Sequence, residues 1–223
     1  MIRTTAFVHL SPDAAPARVD ELIDAARRTA EATDAIATDA SRVTNNAFRA
    51  GDVMLLGAFS DQPALEHALR SAHVTEVIRP LLAEVTAHVE AVRYAQGATT
   101  IREPSLTDGI HRSLLIQVHP DTDPVLVGRF ERELAAMPNY IDAIRNSSLS
   151  RIDTMRASLG PEYTHVWEQE FATLDGLTGP YMQYAYHWSV IDPWFDLQAP
   201  VHIVDPVLIH SSCELRRSIL ALA

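Results

Sequence analysis

Two stretches of this chain open on the same local plan: an apolar strand, a turn written around Pro-Asp, and an amphipathic helix. In the first, residues 2–10 have strand character and Ser11-Pro12-Asp13 supplies turn and helix-start chemistry. Between residues 16 and 32, Val19, Leu22, Ile23 and Ala26 recur at helical spacing while Asp20, Glu21, Asp24 and Arg27 fill the opposite face. In the second, residues 111–118 form the strand, His119-Pro120-Asp121 the turn, and residues 123–137 the helix, with Val127, Phe130 and Leu134 on one face. The first half continues with strands at 36–43 and 52–59, a helical region from 62 to about 84, and a strand at 87–94. The second continues with strands at 141–152 and 163–171, a helical or irregular region at 174–195, and a closing strand at 201–215. Spacing repeats as well: Ala72-His73 followed by Ile78-Arg79-Pro80 parallels Tyr186-His187 followed by Ile191-Asp192-Pro193.

The order β-α-β-β-α-β, written twice over a repeat of about 100 residues, is that of a duplicated domain rather than a solenoid. Residues 97–109 have little periodicity and a glycine near each end, and read as a linker between halves at 1–96 and 110–223. Each half predicts a ferredoxin-like α+β unit, an antiparallel sheet with both helices on one face. The bare face of such a sheet must be buried. Two tandem units solve this by packing sheet to sheet into an intrachain α/β barrel, with a lined cavity between the sheets.

Charge and composition narrow the function. With 29 acidic against 18 basic residues the formal net charge is −11, which repels a polyanion and argues against a nucleic-acid partner. The single cysteine, Cys213, permits neither an intrachain disulfide nor a cysteine-based zinc cluster. The N-terminal stretch lacks the apolar run of a signal peptide, and no segment reaches the ~20 apolar residues of a membrane span. These features predict a soluble cytoplasmic protein without a membrane partner. Phosphate-binding glycine loops and a Gly-x-Ser-x-Gly elbow are absent.

Polar aromatic residues crowd into one region. Residues 163–194 hold all three tryptophans, Trp167, Trp188 and Trp194, together with Tyr163, Tyr181, Tyr184, Tyr186, His165 and His187. A few polar groups converging among aromatic surfaces are what a small-molecule pocket needs, although an aromatic core with satisfied polar tips has the same composition.

Tyr163-Thr164-His165, Tyr181-x5-His187 and Ile110-His111-Arg112 resemble the corresponding parts of the dimeric α/β-barrel family (Dabb, or stress-responsive A/B barrel), with the second half similar to polyketide cyclases of the olivetolic acid cyclase type. The resemblance implies that His187 is the catalytic histidine, Tyr181 its tyrosine partner, and His165 and His111 pocket-lining residues. It implies cofactor-independent cyclase, lyase or isomerase chemistry on a carbonyl-containing, polyketide-like or aromatic substrate. The chain departs from the family at Tyr184-Ala185-Tyr186-His187, where many members carry His-Pro-x-His. In the first half the match is fainter: Ser71-Ala72-His73 and Ile78-Arg79-Pro80 remain, but the tyrosine position holds His67.

Strand alternation predicts that His111, Ser113, Leu115 and Gln117 share one face of their strand, and that His165, Trp167, Gln169 and Phe171 share one face of theirs. Both histidine-bearing faces are expected to point into the inter-sheet cavity, leaving Glu168 and Glu170 on a solvated or helix-facing edge. In this scheme His187 is a general base, Tyr181 donates to a developing enolate oxygen or orients the imidazole, and His165, His111, Trp167, Tyr184 and Trp188 contact substrate. His187 also reads as a helix cap, Tyr184 and Tyr186 as packing, and His202 and His210 carry no assigned role. Two other functions fit the sequence: a non-catalytic, stress-associated ligand-binding protein, and a haem- or metal-binding barrel, which no tight His/Asp/Glu cluster favours. A dimer of barrels is compatible with the chain.

Overall fold

The structure, a computed structural model, describes residues 1–45, 47, 49–152, 158–159 and 162–222. Two antiparallel five-stranded sheets form the frame. The first half contributes β1 (Ile2–Leu10), β2 (Ala35–Arg42), β3 (Val53–Phe59) and β4 (Thr86–Ala95), and the second β6 (Thr107–Ile116), β7 (Ile144–Arg151), β9 (His165–Phe171) and β10 (Ile209–Arg217). Two short strands, β5 (Ala98–Ile101) and β8 (Ser158–Leu159), extend the edges, giving the orders β2-β3-β1-β4-β8 and β10-β6-β9-β7-β5. Each sheet thus contains the ferredoxin-like four-strand order, and β8 of the second half completes the sheet of the first.

Helices cover one face of each sheet. In the first half these are α1 (Pro16–Arg27), α2 (Thr29–Ala32), α3 (Gln62–Arg70) and α4 (Arg79–Val85); in the second, α5 (Pro124–Ala136) and the short α6 (Leu174–Gly176). Val19, Leu22, Ile23 and Ala26 of α1 are buried against Val8, Ala40 and Val53, and Phe130 and Leu134 of α5 against Leu114, Ile116 and Trp167. Local chemistry starts these helices where expected. Asp61 accepts from Ala64 N at 2.9 Å and Asp123 from Val125 N at 2.8 Å, and Pro124 opens α5, where a missing N–H costs nothing.

The opposite faces meet. Phe7, Met54, Leu56, Val92 and Tyr94 of the first sheet pack with Leu115, Val166, Ile209, Cys213 and Leu215 of the second, closing the barrel within one chain. At one seam Val43 bridges Cys213, and Thr44 N donates to Ser212 O at 2.7 Å.

Several boundaries differ from the sequence expectation. The helical run 62–84 is three pieces: α3 ends where Ser71 turns extended (ψ 152°), and a π-helical turn at His73–Ile78 passes into α4 beside Pro80, which has no N–H to donate. The stretch 97–109 is not a plain linker: it carries β5 and the start of β6. Its glycines serve close packing, since a Cβ on Gly97 would stand 2.2 Å from Leu149 O and one on Gly109 2.6 Å from Phe171 O. The closing strand begins at Ile209; before it, Pro206 interrupts the ladder and Val204 forms only an isolated bridge to Val118.

Candidate active site

Antiparallel register decides which side chains can meet, because directly opposed residues point to the same face. On β6 and β9 the pairs are His111 with Glu170, Arg112 with Gln169, Ser113 with Glu168, and Ile116 with His165. His111 therefore faces the barrel interior together with Glu168 and Glu170, while His165, Trp167, Gln169 and Phe171 face the helices. The expectation that both histidine-bearing faces point inward is corrected by this pairing: it holds for β6 and is reversed for β9. The glutamates are correspondingly no solvated edge; both are fully buried.

The interior cluster is ionic, held by charge more than by hydrogen bonds: Arg3 Nε, both His111 ring nitrogens, Ser113 Oγ and Glu168 Oε2 are buried without a hydrogen-bond partner. Glu168 lies 3.1 Å from Arg3 Nη2 and 3.4 Å from His111 Nε2, and Glu170 lies 3.9 Å from His111 Nδ1. Glu170 also receives Ser218 Oγ at 2.6 Å and the backbone N–H groups of Ile219 and Leu220, while Arg3 donates to Ile219 O. Burial alone would raise the Glu168 carboxyl, but Arg3 and then His111 outweigh it and hold it at about 2. Burial would likewise lower His111, yet its two carboxylates drive it above its ordinary value. Two cations and two anions balance, which is the pattern of a structural network.

On the other face of the same sheet, between β6, β9, β10 and the connection 174–195, a second polar group assembles. The connection is a series of short turns, π-helical at Leu177–Tyr181 and His187–Ile191 and 3-10 at Asp192–Trp194. These bury Tyr181, His187, Ile191 and Trp194 as knobs against the sheet. Tyr181 and His187 meet edge to face with ring centroids 4.6 Å apart, and Tyr181 packs on Phe171 at 5.3 Å. Arg112 reaches the same place from β6: Nε donates to His210 Nε2 at 2.9 Å and Nη1 to Gln169 Oε1 at 2.6 Å. Its guanidinium carbon lies 5.1 Å from the Trp167 ring centroid and 5.0 Å from that of Tyr181.

These surroundings set the protonation states. Burial pushes the Tyr181 hydroxyl up to about 12, against a smaller opposing pull from Arg112, so it is a donor at neutral pH. Burial also lowers His187 below the ordinary imidazole value, with Asp192, 3.5 Å from Nδ1, opposing and Arg112 reinforcing the shift. The Arg112 charge holds His210 at about 3. Both imidazoles are therefore neutral near pH 7. The Tyr181 hydroxyl, His187 Nδ1 and Trp167 Nε1 are buried without a hydrogen-bond partner.

Of the residues singled out in the sequence, His187, Tyr181 and Trp167 come together here. His165 is on the same face of the sheet but committed elsewhere: Nε2 lies 3.0 Å from Glu131 Oε1, Nδ1 2.8 Å from Thr164 Oγ1, and the ring stands edge-on to Phe130. His111 is on the wrong face. Tyr184 and Trp188 are 45% and 58% exposed, unlike the buried pair. Arg112, Gln169, His210 and Asp192 were not anticipated. Gln169 was placed with Trp167 by alternation, and Arg112 would have followed had the pairing of β6 with β9 been known. Two surface clefts, of about 420 Å³ near Arg27, Asp39 and Arg216 and about 490 Å³ near His9, Arg42 and Arg49, lie away from this group.

Among the described residues no three His, Cys, Asp or Glu side chains are arranged to hold a metal ion; His187 lies beside Asp192, and His210 accepts from Arg112. Among the described residues the first half shows no equivalent Tyr–His pair beside a buried arginine. Its helix-facing cluster is apolar, and His73 is tied to Ala25 O at 2.9 Å.

No protein-family profile and no curated protein matches the chain. Solved structures do. A proposed monooxygenase from Fusobacterium nucleatum subsp. nucleatum superposes with a TM-score of 0.65 at 7% identity, covering 97% of this chain and 92% of its own. An anthrone oxidase-like protein gives 0.64 at 11% identity, covering 96% and 90%, and a proposed monooxygenase from Lactobacillus acidophilus 0.61 at 9%, covering 95% and 92%. At such identities the likeness establishes the fold: two tandem ferredoxin-like units spanning the whole chain. No helix among the described residues is long and apolar enough to cross a membrane.

Proposed function

We propose that the chain is a small-molecule enzyme of Dabb-like type that removes a proton next to a carbonyl of an aromatic or polyketide-like substrate, using His187 as base and Tyr181 as donor to the developing enolate oxygen. Residues 110–223 supply the site and residues 1–96 the wall that holds its sheet. The observation that carries this reading is the buried Tyr181–His187 pair beside Arg112, with ring centroids 4.6 Å apart and, among the described residues, no polar partner nearer His187 Nδ1 than Asp192 at 3.5 Å. A neutral imidazole accepts the proton; a protonated phenol and a nearby guanidinium stabilise the resulting negative charge in a site from which water is largely removed.

Enolate formation is common to two outcomes. The enolate carbon closes on a second carbonyl in a cyclase, or reacts with dioxygen in an oxygenase; the names of the structural neighbours favour keeping the second in view. Both are tested at the shared step. Anthrone and linear aromatic 1,3-diketones are incubated with the protein in D2O and exchange at the acidic carbon is followed by NMR. His187→Ala is expected to lower the protein-dependent exchange by about 10²–10⁴-fold, and Tyr181→Phe by a smaller factor. Equal exchange by folded native and His187→Ala proteins sinks the assignment, and bound ligand that never exchanges favours a binding protein.

A further inference from the structure

We propose that the ligand of the Tyr181–His187 site is a carboxylate, and that Arg112 is the specificity residue that receives it. This rests on taking that group of residues as the ligand site, but not on proton transfer occurring there.

Charge bookkeeping sets this site apart from the other fully buried arginine among the described residues, Arg3, and from the part-buried Arg49 and Arg27. Arg3 has Glu168 at 3.1 Å, Arg49 has Glu90 at 2.6 Å, and Arg27 has Asp39 at 3.6 Å. Arg112 is 4% exposed and has no carboxylate within ion-pair distance among the described residues. Among the described residues its hydrogen bonds go to neutral acceptors, His210 and Gln169. Asp192 is turned to His187 and half exposed. A guanidinium taken out of water without an anion is costly, and an anion supplied by a ligand would offset that cost.

The neighbouring groups have the same polarity. The Trp167 indole can only donate, and the Tyr181 hydroxyl beside the guanidinium has no acceptor; both are buried without partners. The guanidinium and the Trp167 indole can only donate, so the complement they lack is an oxygen acceptor, and the unpaired charge of Arg112 favours a negatively charged one. A planar carboxylate fits the guanidinium fork, and the Trp167, Tyr181 and Phe171 rings around it favour an aromatic scaffold.

The test compares benzoate, salicylate and 2-naphthoate with their neutral amides by isothermal titration calorimetry at pH 7. The native protein is expected to bind at least one carboxylate about 10-fold or more tighter than its amide, the scale of a charge-assisted pair over a neutral one. Arg112→Met is expected to remove that preference while changing amide affinity less than about threefold, and Arg112→Lys to keep part of it. Thermal unfolding checks that the variants fold; if Arg112→Met does not, the native carboxylate-to-amide ratio and Arg112→Lys decide. Equal affinity for acid and amide in the native protein, no binding by any carboxylate of the series, or an undiminished preference in folded Arg112→Met overturns the proposal. His187→Ala separates the two readings: it is expected to keep the carboxylate preference even where it abolishes proton exchange.

Discussion

Replacing Glu168 by glutamine should reveal how much the barrel interior depends on charge. The side chain is fully buried, with Arg3 Nη2 at 3.1 Å and His111 Nε2 at 3.4 Å. Its pKa of about 2 in the fold, against roughly 4.3 in an unfolded chain, corresponds to about 3 kcal/mol of stability at neutral pH. Deleting one member of a buried pair, and so stranding its partner, costs about 3–5 kcal/mol, which agrees in scale and is a large share of a typical domain's 5–15 kcal/mol. The sign fixes where the effect is seen. Because the folded pKa is depressed, the contribution is complete above about pH 4.3 and lost as pH falls toward about 2, where the unfolded state binds a proton that the folded state does not. His111 acts oppositely: raised in the fold, it contributes fully below about pH 6.5 and the contribution is lost as pH rises through its folded pKa. Urea unfolding across pH 2–9 should therefore give a native stability curve with an acid and an alkaline limb, and Glu168→Gln should lower the maximum and flatten both. Arg3→Met combined with Glu168→Gln should cost less than the two single changes added together, by about 1–3 kcal/mol, because the stranded cation is gone. A Glu168→Gln penalty below about 1 kcal/mol, or strict additivity of the pair, would refute the ionic account.

Two further outcomes follow from the same geometry. Proton exchange catalysed by the native protein should rise with pH through a midpoint below the ordinary imidazole value near 6.5, because His187 acts when neutral and burial lowers it; a midpoint above that value in the rate profile would contradict the assigned base. Glu170→Gln should weaken the hold on residues 218–220, which rests on hydrogen bonds of 2.6, 2.8 and 3.1 Å, and speed amide exchange at Ile219 and Leu220 by roughly 10-fold or more, while exchange in α1 stays unchanged.

The doubled β-α-β-β-α-β plan was legible because it is written in local chemistry: Pro-Asp turns, helix-period stripes at Val19–Ala26 and Val127–Leu134, and strand-length apolar runs. The Tyr181–His187 pair was anticipated only through the resemblance of Tyr181-x5-His187 to the barrel family. The faces of β9 were not. All seven of its residues are buried and polar groups fall on both sides, so alternation divides His165, Trp167 and Gln169 from Glu168 and Glu170 without saying which set turns inward. That choice belongs to the register with β6 and to Arg3, some 165 positions away in sequence. Gly97 and Gly109 misled for a related reason, since glycines required by a neighbouring strand's backbone look the same in sequence as glycines that free a linker.

The two polar groups of the second half are more closely tied than their separation by a sheet suggests. Along β9 they alternate: Trp167 and Gln169 serve the site beside Tyr181, and Glu168 and Glu170 serve the interior beside His111. A slip of one residue would drive both carboxylates into the helix-facing cluster and carry the indole and amide away from Arg112. In a strand buried on both faces hydrophobicity alone opposes such a slip weakly, whereas two carboxylates matched to Arg3 and His111 oppose it strongly. The first half thus contributes to the second by a charge: Arg3 fixes Glu168, Glu168 fixes β9, and β9 sets Gln169 at 2.6 Å from the guanidinium of Arg112.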